Sequence, residues 1–308
     1  MSRRQSLLLL ALAATWGGSY ALIKVLLDHG LAWQWIASLR LVIGAAVVVA
    51  IARHRLGPRP LRASPLRTLA IGAATAGLSL PMISLGERWV ASGLAGVLVA
   101  AAPLFTALFA RLLIPSTRLG RSGLVGMLVG FAGVVLLFGA DLSGSSDLLI
   151  GGIAILLAPL GYGIGAVLSR LWATGGTPLA QTAANLTWAA GIATAVALVA
   201  TAAGEGGPTL HGAGAWLALA ALGAIGTGIA FVIFFQLIAE VGPSRAALVT
   251  YVAPVFALGY GAAFLDEPIT LAAVGGVMLV VIGIVIAGRR PGRGDEAGAS
   301  AALARSSR

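Results

Sequence analysis

The chain has 308 residues, 59% of them hydrophobic and only 10% charged, with 43 glycines, no cysteine and a mean hydropathy of +0.99. A soluble domain carries about 25% charged residues, so this inventory cannot build a water-facing surface, and a soluble enzyme with one membrane anchor is excluded. The formal net charge of +10 would suggest nucleic acid in a soluble protein; in a polytopic membrane protein it marks loops retained in the cytoplasm, and no nucleic-acid partner is expected.

Apolar runs bounded by charge or by Gly/Pro clusters fall at 6–27, 31–52, 66–85, 90–110, 121–140, 148–169, 178–203, 212–237, 243–264 and 269–288. A span needs about 20 apolar residues, so ten of them use about 210 residues and leave only loops between. The first run follows Arg3 and Arg4 in the manner of a signal peptide, but its apolar character continues to Leu27, so cleavage is not expected. The longest hydrophilic connections are Arg53 to Pro65 and the tail 289–308, which is rich in Gly, Ala and Ser and expected to be disordered and cytoplasmic. The expected fold class is an all-α membrane protein of ten transmembrane helices.

Charge sets the orientation. With the N-terminus in the cytoplasm, 17 of the 20 basic residues fall in inside segments and 7 of the 10 acidic ones in the opposite loops. The basic exceptions are Lys24, Arg40 and Arg88. A missed span would scramble the signs beyond it, so both termini are expected inside.

The sequence also repeats. Residues 95–109 resemble 246–260 at an offset of 151, aligning Pro103 with Pro254 and Phe105 with Phe256; a weaker match sets Trp16-Gly17 against Leu160-Gly161. The chain therefore divides into 1–142 and 146–288, each of five helices. Five is odd, so the second unit enters the membrane from the opposite side, and inverted repeats around a central cavity are a transporter architecture. Small residues lace the helices: Gly93/Gly96, Gly123/Gly126/Gly130/Gly133, Gly161/Gly163/Gly165 and Gly275/Gly276/Gly283. Such stripes allow close packing within one chain, or a homodimer seam on the fifth or tenth helix. Pro103, Pro159 and Pro254 fall inside spans, where each removes a backbone hydrogen bond and serves as a bend or gating point.

Several of these features occur together in one known pattern. The early Trp16-Gly17, the Leu39-Arg40-Leu41 of the second run, the Glu87-to-Leu98 segment followed by Pro103, and the segment 242–270 with its Leu265-Asp266-Glu267 exit resemble the EamA family of the drug/metabolite transporter superfamily. The matching exit of the first half is absent, since Ile114-Pro115-Ser116-Thr117-Arg118 stands there. The resemblance covers about residues 6–288. It implies a ten-helix carrier of the inner membrane that moves small metabolites, often amino acids or related compounds outward, and in other members drugs, sugars or nucleotide-related compounds.

Arg40 is the sharpest single feature. It lies nine residues into its run, about 13 Å deep, where a charge costs about 3 kcal/mol or more unless it meets water or a partner. It either binds a substrate carboxylate or phosphate or clamps a bent helix. The other expected cavity residues are Trp16, Tyr20, Tyr162, Asn185, Trp188, Gln236 and Tyr251, whose rings and amides suit a small-molecule site; Trp35 lies nearest an interface, and Lys24 is expected to snorkel to the surface. His29, His54 and His211 read as loop residues, and no Asp or Glu lies near a span centre, Glu87 and Glu240 being at helix ends. That pattern favours exchange or facilitated movement over proton symport. No Ser/His or paired-Asp arrangement, H-E-x-x-H or G-x-x-x-x-G-K-[ST] occurs, so no catalytic residue, metal, cofactor or ATP-driven pumping is expected.

Overall fold

The computed structural model describes residues 2–57, 64–114, 121–140, 145–172, 177–241 and 249–287, and all regular structure among them is helical. The tail 289–308, Gly242 to Ala247 and Pro115 to Arg118 lie outside the described residues. Ten helical segments follow one another: α1 (Arg3–Asp28), α2 (Trp33–Leu56), α3 (Pro65–Gly86), α4 (Ser92–Leu113), α5 (Arg121–Ala140), α6 (Ser146–Leu171) and α7 (Pro178–Ala202), then α8 (Ala213–Ala220, Ala221–Ile229 and Ala230–Val241 in succession), α9 (Val249–Phe264) and α10 (Leu271–Ala287). Seven of them, α1 to α4 and α6 to α8, are long and apolar enough to cross a membrane, while Ser122–Leu136 of α5, Val249–Phe264 and Leu271–Ile286 are shorter apolar helices. Helices suit this composition because hydrocarbon offers no partner to a free peptide group.

Helix starts follow local sequence. Ser2 and Gln5 form a reciprocal capping box on α1, Ser145 Oγ accepts from Leu148 N (3.2 Å), and Thr177 Oγ1 accepts from Ala180 N (3.3 Å) with Pro178 in the first position. Arg53, His54 and Arg55 occupy the last turn of α2, where positive charge complements the carbonyl end of the helix.

Three interruptions do not follow from hydropathy. Residues Ala73–Gly77 of α3 and Ala221–Ile229 of α8 are π-helical. Each is followed or closed by a hydroxyl that donates five residues back: Ser79 Oγ to Ala74 O (2.6 Å) and Thr227 Oγ1 to Leu222 O (3.1 Å). Helix α4 breaks at Ala100 and Ala101, with Pro103 in the first turn of its second part. By contrast α6 and α9 run through the buried Pro159 and Pro254 without interruption.

Helix α2 packs along α7 and α8, α1 along α9, α6 along α3 and α4, and α5 along α10. The α5–α10 seam is a backbone contact. A Cβ at Gly283 would meet Gly130 N and Gly126 O, and one at Gly133 would meet Gly276 O and Leu279. The Gly126/Gly130 stripe is thus used inside the chain, as small residues permit in lipid. Apolar side chains are abundant outside as well: Leu217 and Val199 are 71% and 70% exposed, a surface that suits lipid and not water.

Hydrogen bonds show which ends meet. Gln34 Nε2 donates to Glu205 O (2.6 Å), Arg88 pairs with Glu205 (3.1 Å), and Lys24 Nζ donates to Glu87 O (3.4 Å). The end of α6 that carries Gly151 lies against Gly86 and Val90. These contacts gather the connections 29–32, 87–91 and 203–212 at one end of the bundle, the Glu205 end. The start of α1 meets the end of α8 elsewhere, through Arg4 and Glu240 (3.0 Å).

Candidate functional site

Arg40 is 5% exposed in the middle of α2. Its Nε and Nη2 both donate to Thr227 Oγ1 at 3.2 Å, and the same hydroxyl donates onward to Leu222 O. The guanidinium therefore sits on the π-helical part of α8, which approaches α2 closely because Gly44, Gly223 and Gly228 leave no side chain between them: a Cβ at Gly44 would meet Thr227, and one at Gly223 would meet Ile43. A buried charge with donors in a fixed fork needs such an acceptor.

Tyr20 of α1, Tyr162 of α6 and Glu87 lie within electrostatic reach of this guanidinium. Tyr20 also packs on Gly96 of α4. Both tyrosines border the cluster formed by Leu80, Ile83 and Ala158. Ser79 Oγ reaches Ala158 O (3.3 Å), joining the π-helical part of α3 to α6, and Gly161 permits that approach.

Glu87, in the turn after α3, is fully buried, and neither carboxyl oxygen has a hydrogen-bond partner among the described residues. Burial pushes its carboxyl well above the usual carboxylate range; the Glu267 carboxylate adds to the rise, and Arg40 and Lys24 oppose it. Ser84 Oγ and Asn185 Oδ1 are likewise buried without a partner among the described residues. Such atoms in a native fold call for an explanation, and a ligand group is one.

Glu267 has a different task. Its Oε1 accepts from Ser92 N (2.7 Å), and its Oε2 accepts from Gly93 N and Ser92 Oγ (both 2.9 Å). The cap residue of α4 is Ala91, which has no side-chain acceptor, so a carboxylate from the α9–α10 connection caps a helix 174 to 175 residues away. The Leu265-Asp266-Glu267 exit makes this possible because Asp266 takes a left-handed conformation, φ 53°, turning the chain sharply after α9.

The remaining expected residues lie apart from Arg40. Trp16 packs against Phe234 (5.2 Å between ring centres) and Phe231 (6.1 Å). Asn185 and Trp188 of α7 lie against Gly72 of α3, with Trp188 40% exposed. Gln236 donates to Glu240 (2.8 Å), which also holds Arg4, at the opposite end of the bundle from Glu205. Tyr251 borders the core around Leu98 and Phe105. A groove of about 440 Å³ opens between α1, α8 and α9, lined by Ala14, Gly18, Ala221, Ile225, Tyr260 and Phe264 among others. Its walls are almost wholly apolar, which suits a hydrophobic moiety or a lipid chain.

A sequence model of the EamA-like transporter family matches residues 4–139 and again 149–289. The chain belongs to the EamA-like transporter family. Among its relatives, the uncharacterized inner membrane transporter YedA of Escherichia coli (strain K12) is 32% identical over 263 residues, 82% of this chain and 80% of its own. The uncharacterized transporter YoaV of Bacillus subtilis (strain 168) is 25% identical over 281 residues, 90% of this chain and 94% of its own. A protein of known crystal structure, 22% identical, superposes with a TM-score of 0.66 over 94% of this chain and 97% of its own, so the fold is shared. This EamA-like protein is a membrane transporter.

Sequence reasoning named Arg40, Tyr20 and Tyr162 but missed Thr227, and it set Glu87 aside as a helix-end residue. Thr227 carried a signal: a lone hydroxyl among Gly223, Gly226 and Gly228 marks a close helix approach. Glu87 carried none, because its surroundings come from elements distant in sequence, with Lys24 of α1 on its backbone oxygen and Gly151 of α6 against the neighbouring Gly86.

Proposed function

We propose that this transporter carries a small metabolite, an amino acid or related compound, out of the cell by alternating access. On this reading ten helices span the cytoplasmic membrane as two inverted repeats, 1–142 and 146–288, with both termini in the cytoplasm and the Glu205 end outside. The observation that carries it is the convergence of Tyr20 and Arg40 from the first half and Tyr162 from the second around one buried charge. Rocking one half against the other would open that cluster to each side in turn. The segregation of 17 of 20 basic residues supports the orientation, and the relative named as an inner membrane transporter supports the location.

Arg40 then does two things. Nε and Nη2 hold Thr227, which is the clamp; Nη1, outside that pair of bonds, reads a carboxylate, the tyrosine rings orienting the rest of the substrate. Thermal-shift screening of metabolites on the purified protein, followed by counterflow of any stabilising compound in liposomes, tests the proposal. Saturable counterflow lost in Arg40→Ala is expected. Uptake that never saturates, with no compound stabilising the protein, would overturn it.

A further inference from the structure

Glu87 ends the α3 span at the Glu205 end, yet its exposure is 0% and both carboxyl oxygens lack a partner among the described residues. One turn earlier on the same helix face, Ser84 Oγ is buried and also unpartnered. The charged and titratable groups around the carboxyl come from three directions. Helix α1 brings Lys24, whose ammonium donates to the Glu87 backbone oxygen, and Tyr20. Helix α2 brings Arg40, already held by Thr227. The α9–α10 connection brings the Glu267 carboxylate, committed to capping α4. Helix α6 meets the neighbouring Gly86 with Gly151 and Ile155, neither of which titrates.

Both nearby cations are thus bonded to other acceptors, and the nearest other carboxylate repels. Two basic groups acting on the carboxyl also disfavour a metal ion, whereas a proton needs one oxygen and no coordination sphere. We propose that the Glu87 carboxyl is a proton-binding site linked to access: it holds a proton while the outer end is closed over it and releases that proton to water when the end opens. The O–H bond of the neutral acid forms on closing and breaks on opening, the proton passing to and from outer water. This rests on the transporter reading and adds to it a dependence of access on outer pH. The expectation of exchange or facilitated movement stands beside it, since the proton returns to the side it came from; Glu87 supplies a dry titratable group from the turn.

The sign follows from burial. The closed form raises the carboxyl's pKa and the open, hydrated form returns it to the ordinary range, so acid outside favours closing and alkali favours opening, by up to about tenfold per pH unit between the two values. The chain has no cysteine, so one introduced thiol reports alone. Val90→Cys, buried at 1% beside Glu87, is labelled by a maleimide only when the outer end opens, and Ala203→Cys, already exposed, corrects for ionisation of the thiol. In nanodiscs the ratio of the two labelling rates should rise with pH in the native background, stay flat in Glu87→Gln, and rise again in Glu87→Asp, which covers a Gln variant that fails to fold. Infrared difference spectra should show a protonated-carboxyl band at acidic and neutral pH that Glu87→Gln removes. A flat ratio in the native background, or an infrared band surviving in Glu87→Gln, overturns the proton link even if saturable counterflow persists. A ratio that rises where no compound shows saturable counterflow supports the proton site and overturns the transport reading instead.

Discussion

Removing the Glu267 carboxylate should weaken the contact between the α9–α10 connection and α4. In Glu267→Ala three donors lose their acceptor at once: Ser92 N, Gly93 N and Ser92 Oγ, the first with its residue fully buried. A hydrogen bond to a charged group contributes about 1.5–3 kcal/mol, but three that share one carboxylate are not additive, and the loss of a helix cap typically costs about 1 kcal/mol. The expected destabilisation is therefore about 3 kcal/mol, or roughly 5 °C in the unfolding midpoint of a chain this size. Tryptophan fluorescence during denaturation in mixed micelles measures it. Glu205→Ala is the comparison, because its exposed carboxylate accepts from Arg88 and from Trp33 Nε1 (3.2 Å) but caps no helix, so its loss should cost about 1 kcal/mol. Ala91 already has the extended conformation of a cap residue, φ −61° and ψ 145°, so Ala91→Ser in the Glu267→Ala background should recover about 1 kcal/mol. Equal stability of Glu267→Ala and Glu205→Ala, with no recovery from Ala91→Ser, would refute the capping role.

Two further outcomes follow from the packing. Thr227→Val keeps the shape of the residue but removes the acceptor of Arg40 and the donor to Leu222 O, and should cost about 2–3 kcal/mol by the same assay, while Thr227→Ser stays within about 1 kcal/mol. If the valine variant matches the native protein, the clamp on the π-helical segment carries no energy. Gly283→Ala drives a methyl into the backbone of Gly126 and Gly130, so the α5–α10 seam should open at a cost of about 1–3 kcal/mol, read as a lower unfolding midpoint. Gly259→Ala, with open space at its Cβ, is the control that should show no such loss.

Much of this architecture was legible in the residues. Hydropathy marks ten segments because lipid demands runs of apolar helix, and their starts are announced by Ser2, Ser145, Thr177 and Pro178, whose effect is local. Arg40 stands out because charge is rare at depth. The small-residue stripes announce close packing but not the partner, and only the tertiary structure assigns Gly126 and Gly130 to Gly283. Hydropathy is equally silent on the π-helical stretches of α3 and α8. Their geometry answers to neighbours: Ala158 O and Gly161 against Ser79, Arg40 and Gly44 against Thr227.

The same division runs through the acids. By sequence, Glu87 and Glu267 are two equivalent charges just beyond apolar runs, counted alike toward the expected topology. In the fold one is paired to three donors and the other is sealed away with none among the described residues. The residues alone told which segments are apolar helices and which connections carry charge, since both depend on the chain's own chemistry one segment at a time. The surroundings of each charge came from the packing, because desolvation and hydrogen bonding are set by helices that are distant in sequence.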